Sequence, residues 1–82
     1  LARIVLYGSR ARGDHHPDSD YDIAVFLNDL PNRAIEMRRL ADIETGILFD
    51  TEAVINALPF PAAAYREQTG FMNEVRQDGL DL

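Results

Sequence analysis

Apolar residues along this chain fall into two kinds of pattern. Ile4, Val5 and Leu6 form a short continuous run that stops at Gly8-Ser9, and Ile23 to Leu27 form a second run almost without a polar break. Such continuity suits strands buried on both faces, so strands are predicted over residues 3–7 and 21–27. Between them, residues 9–13 read as a short helical turn ended by Gly13, and Asp14 to Ser19 as a loop of turn formers. After Leu30-Pro31-Asn32 the pattern changes. Met37, Leu40, Ile43 and Ile47 recur at three- and four-residue steps, with charged residues mostly off that stripe. This predicts an amphipathic helix from Arg33 to about Ile47, capped by Asn32, packed on the sheet and fraying or ending near Gly46. Residues 49–57 read as a third strand. Pro59-Phe60-Pro61 then breaks the chain, and 62–77 reads as a helix with Tyr65, Phe71, Met72 and Val75 as its apolar contacts. Gly70 inside it costs roughly 1 kcal/mol against alanine, which marks a place for a bend or break.

A strand, helix and strand of these lengths imply a parallel pair joined by a right-handed crossover. Strands two and three then start at the same sheet edge. If strand one runs antiparallel to strand two, Gly8-Ser9 arrives there as well. Asp20 and Asp22, at alternate positions where strand two begins, point to one face because side chains alternate along a strand. Two such carboxylates can share a metal ion, and hard oxygen ligands suit magnesium carrying substrate phosphates. Gly8 allows a turn that a Cβ resists, and the free N–H groups of a helix opening at Ser9 favour phosphate oxygens. A phosphate cradle beside paired carboxylates describes metal-assisted nucleotidyl transfer, with two ions about 4 Å apart able to hold both attacking and leaving oxygens. Arg10 and Arg12 either help neutralise a triphosphate or pair with Asp14 or Asp18.

The pattern Gly8-Ser9, ten residues, then Asp20-Tyr21-Asp22 closely resembles the signature of the polymerase-beta-like nucleotidyltransferase superfamily. Its form here, GSRARGD…SDYDIAV, is most similar to the minimal nucleotidyltransferase (MNT) group, and FMNEVRQDGLDL resembles the C-terminal end of such domains. The resemblance implies an α/β fold, a small mixed sheet with helices mainly on one face. It implies nucleotide binding by Gly8, Ser9, Arg10 and Arg12, and metal binding and catalysis by Asp20 and Asp22. It also implies a third carboxylate on the later strand. Asp50 and Glu52 are the candidates, with Glu52 favoured because it lies deeper in the expected strand, although a glutamate departs from the more usual aspartate.

Size and charge narrow the function further. Eighty-two residues make one domain, 1–82, near the lower limit for an independent core. The first residue is not Met and the first strand starts almost at once, so a fragment, or a chain short of an N-terminal helix that would cover one sheet face, is expected. Fourteen acids face eight arginines and no lysine, a net charge of −6. That lacks the basic footprint of a nucleic-acid binder. With no cysteine there are no disulfides or thiolate metal sites. Adjacent His15 and His16 beside Pro17 read as solvated turn residues rather than zinc ligands. No apolar run spans a bilayer and nothing resembles a signal peptide, so a cytoplasmic location is the default.

The expected activity is transfer of AMP from ATP, with magnesium, to a hydroxyl acceptor. Proteins similar to the MNT group often accompany HEPN-domain toxins, and some adenylylate a tyrosine of that partner, which makes this chain an expected antitoxin. Its small size favours a protein acceptor held by a partner. Two alternatives stay open: an antitoxin that neutralises by occlusion without catalysis, and an antibiotic-modifying nucleotidyltransferase, which would need a further substrate-binding domain.

Overall fold

The computed structural model describes residues 2–82. Four strands form one mixed sheet in the order β3-β2-β1-β4. Strand β1 (Arg3–Tyr7) lies antiparallel to β2 (Tyr21–Leu27), with Tyr7 opposite Asp22, and β2 runs parallel to β3 (Ile55–Pro61), with Asp22 opposite Asn56. The short strand β4 (Leu80–Asp81) pairs antiparallel with the outer edge of β1, where Asp81 also meets Arg3 at 3.5 Å. Leu80 and Asp81 therefore extend the sheet by a short edge strand.

One sheet face carries the core. Val5, Ala24 and Phe26 are buried there under Ala64 of a 3-10 turn (Ala62–Arg66) and under Met72 and Val75 of a helix at Gly70–Asp78. Phe26 is wholly buried, worth roughly 2–3 kcal/mol relative to exposure. Aromatic rings connect this core to the start of β2. Phe26 stacks on Phe60 at 5.6 Å, Phe60 tilts against Phe71 at 5.5 Å, and Phe71 meets Tyr7 edge-on at 5.3 Å. The long C-terminal helix predicted from 62 to 77 is thus two pieces. The break falls at Glu67–Thr69, where Thr69 caps the second helix by accepting from Met72 N–H at 3.0 Å, and Gly70 becomes its first residue instead of an interior flaw.

The crossover differs more from expectation. A four-residue helix α1 (Ser9–Arg12) follows β1, and the crossover helix α2 runs from Arg33 to Thr51, well past Gly46. The stretch 49–57 is a strand only at its end: its first three residues finish α2, and β3 begins at Ile55. Leu48 and Phe49 have the apolar character of a strand, but the i→i−4 ladder continues through them, Glu52 N–H bonding Leu48 C=O at 2.8 Å. Phe49 remains 83% exposed. No residue of α2 is fully buried. Instead of capping a face, α2 borders the outer edge of β3, where Glu44 accepts from Ala57 N–H at 2.9 Å and Arg33 donates to Pro59 C=O at 2.9 Å. These bonds satisfy an edge that would otherwise offer pairing groups to another chain. Pro59 and Pro61 fit there because an edge strand does not need every N–H. Taken together, the sheet and helices form the α/β arrangement with the mixed sheet that the sequence implies.

Candidate functional site

The sheet brings the end of β1 and the starts of β2 and β3 together. Gly8 has φ 76° and ψ −158°, a conformation nearly closed to residues with a side chain. A Cβ at Gly8 would lie 2.5 Å from Oδ2 of Asp22, so the missing side chain is what lets that carboxylate sit over the turn. Beyond it, Ala11 and Arg12 N–H both bond back to Gly8 C=O at 3.1 Å. The N–H groups of Ser9 and Arg10 precede the first intrahelical bond, as at any helix start, and so stay available to an anion.

Asp20 is exposed and precedes β2; Asp22 is half-buried in it. Among the described residues no arginine pairs with either carboxylate. The group that reaches Asp20 comes from β3: Asn56 Nδ2 donates to Asp20 Oδ2 at 2.8 Å. The negative field is felt at Tyr7, whose phenol is pushed above its ordinary value first by burial, then by the charges of Asp22 and Glu74.

The remaining expected site residues stand elsewhere. Asp50 belongs to α2 and Glu52 is its C-cap, in the left-handed region at φ 64°; neither lies on β3. Among the described residues no cluster of three Asp, Glu or His side chains forms, so Glu52 does not join Asp20 and Asp22 in a triad. The helix ran on and moved both acids off the strand. The residue in register with Asp22 is Asn56, which the sequence reading passed over. Its signal was the alternation Asn56, Leu58, Phe60 behind the β-branched start Val54-Ile55, with prolines marking an edge. Arg10 forms no ion pair with Asp14 or Asp18. It donates to Pro17 and Ser19 carbonyls at 3.0 Å and lies over the Tyr21 ring at 4.4 Å, holding the loop that carries Asp20. Arg12 pairs with Asp14 at 3.2 Å, as one alternative had it, and also with Glu74 at 3.3 Å on the C-terminal helix. Those pairings raise its already high pKa, the Asp14 hydrogen bond most.

Two open cavities border the sheet, the first at this end and the second farther along β3. One of about 550 Å³ contains Arg10, Asp18, Tyr21, Glu52 and Val54 but neither Asp20 nor Asp22. The other, about 440 Å³, is lined by Leu58, Phe60, Phe71 and Met72 together with Arg33 and Glu67, and it too contains neither Asp20 nor Asp22. Leu58 and Phe60 follow Asn56 at alternate positions of β3 and so share its face.

A family model described as "Nucleotidyltransferase domain" matches residues 1–78. This chain belongs to the nucleotidyltransferase domain family. A protein of Methanocaldococcus jannaschii with the name "Putative protein adenylyltransferase MJ0141" is 26% identical over 82 residues, spanning all of this chain and 79% of the relative. The nucleotidyltransferase reading accounts for the Gly8 turn and the carboxylate pair together, since transfer from a nucleoside triphosphate needs a place for phosphates beside anionic ligands. A divalent ion fits the donor set: two hard carboxylates unpaired by arginine, one of them pressed over a turn that a Cβ would fill. No described helix is long and apolar enough to cross a membrane.

Proposed function

We propose that this domain transfers AMP from ATP to a hydroxyl of a partner protein, a tyrosine in the first instance, with Asp20 and Asp22 holding magnesium. The observation that carries this reading is the contact between the side-chain-free Gly8 turn and Oδ2 of Asp22. Ser9 and the amides after it hold the outer phosphates at the β1 side of the pair. A divalent ion held by Asp20 and Asp22 would supply Lewis-acid charge to the transferring and leaving phosphates. In-line displacement then requires the acceptor to approach from the side opposite pyrophosphate, over β3. The new bond joins acceptor oxygen to α-phosphorus, the bond to the bridging oxygen of pyrophosphate breaks, and the hydroxyl proton passes to solvent.

A phenol is favoured as acceptor for two reasons. Asn56 replaces the acid that would help deprotonate an alcohol, and a phenol with pKa about 10 needs that help least. The groove of Leu58, Phe60, Phe71 and Met72 is apolar enough to receive a ring. By its resemblance to MNT domains, the partner proposed is a HEPN-type toxin, which makes this chain its antitoxin. The relative named a protein adenylyltransferase supports a protein acceptor.

A second reading, neutralisation by occlusion, is favoured by Asn56 itself, since loss of the third acid is how such a site would decay. Incubation with labelled ATP, magnesium and the partner separates the two. Catalysis predicts label on the partner from wild type, reduced roughly a thousandfold in Asp20→Ala, Asp22→Ala. A stable complex from both proteins and label from neither would establish occlusion instead.

A further inference from the structure

Asn56 is more than the absence of an acid. We infer that Asn56 limits the Asp20–Asp22 pair to one divalent ion and positions Asp20 to receive it, an inference that rests on these carboxylates being the metal ligands.

The register puts Asn56 directly beside Asp22 on the neighbouring parallel strand. Its amide nitrogen donates to Asp20 Oδ2 at 2.8 Å. An amide N–H carries partial positive charge and cannot ligate a cation, so what Asn56 presents to Asp20 is a donor and not a ligand. That bond takes up part of the capacity of one oxygen and aligns the rest of the carboxylate. Two divalent ions about 4 Å apart repel strongly and persist only when several anionic oxygens bridge them. Here two carboxylates are present, one already engaged, and among the described residues no third acid or histidine completes a cluster. The ion carried by the nucleotide's phosphates has anionic ligands; a second one is left without a carboxylate of its own among the described residues, and a neutral amide oxygen does not offset the repulsion between two ions.

Manganese in place of magnesium, with α,β-methylene-ATP as the non-reacting nucleotide, reports the ion count by paramagnetic resonance. Wild type is expected to hold one manganese per chain with an uncoupled spectrum. Asn56→Asp is expected to hold two, with the spin coupling of ions a few ångströms apart. A coupled pair in wild type, or a single ion in Asn56→Asp, overturns the inference. Asn56→Ala provides an independent arm, because Asn56 is exposed and alanine adds no charge. It should keep one ion, bound about threefold to tenfold more weakly for want of the aligning bond. Unchanged affinity overturns the positioning role. Two ions in wild type with label transfer intact would sink this inference alone, whereas no nucleotide-dependent ion in wild type would sink the reading of the carboxylates with it.

Discussion

Gly8 and Glu52 occupy the two turns that deliver the chain to the reactive end of the sheet, and both have positive φ, 76° and 64°. At Gly8 the conformation and the chemistry are one thing: the space a side chain would fill is taken by the Asp22 carboxylate. At Glu52 the same sign of φ only ends a helix. Its N–H closes the last turn on Leu48 C=O, and its side chain stays exposed at the mouth of a cavity that contains neither aspartate. The first turn is constrained by the site, the second by the length of α2. A carboxylate that happens to fall at the second turn therefore acquires no role from its position, and the strand that follows presents an amide where an acid was expected.

The contrast breaks most sharply at Gly8. Gly8→Ala forces a side chain into a backbone region that excludes it and drives its Cβ against Asp22. We expect a loss of about 1–3 kcal/mol in thermal unfolding and a fall in label transfer of roughly a hundredfold, because the carboxylate must swing away. Normal transfer by a folded Gly8→Ala protein would show that Asp22 does not depend on this turn.

The same contrast explains what could be read from the chain alone. The meeting of the Gly8 turn with Asp22 was legible because it is local: β1, α1 and β2 follow one another along the chain, and the strand ends are marked by apolar runs. The parallel pairing of β2 and β3, and hence convergence at one sheet end, was legible from lengths. The position of β3 was not. Phe49 read as the start of a strand, while the bonds that decide otherwise are long-range. Glu44 accepts from Ala57 N–H and Arg33 donates to Pro59 C=O, pinning α2 along β3 as a helix to Thr51. Asn56 was missed for the same reason. The contacts of Arg10 were not legible because its partners are backbone carbonyls, which leave no trace in composition.

A smaller effect of opposite sign belongs to the second turn. Glu52→Gly removes the cost of a left-handed non-glycine residue, partly offset by the greater freedom of glycine when unfolded. A gain of about 0.5–1 kcal/mol in denaturant unfolding is expected, with label transfer at the wild-type level. Loss of transfer in Glu52→Gly would return that carboxylate to the reaction and erase the distinction between the turns.

The finest test reads the electrostatics of the first turn through Tyr7. Burial favours its neutral phenol, and the charges of Asp22 and Glu74 favour it further, so its folded pKa lies above the ordinary 10.0. The sign follows directly. The stabilisation from keeping the phenol neutral is complete below about pH 10 and is lost as pH rises through the folded pKa. Asp22→Asn removes the second cause but not the first, so Tyr7 should titrate earlier than in wild type yet still later than a free tyrosine. Tyrosinate absorbance, followed with Tyr21 and Tyr65 replaced by phenylalanine, isolates the group. Glu52→Gln in the same background should leave the curve where it was, because that side chain is not among the groups acting on Tyr7. If Asp22→Asn also leaves it unmoved, the carboxylate is turned away from Tyr7 and the turn in solution, and the contact on which the phosphate cradle is argued would not hold there.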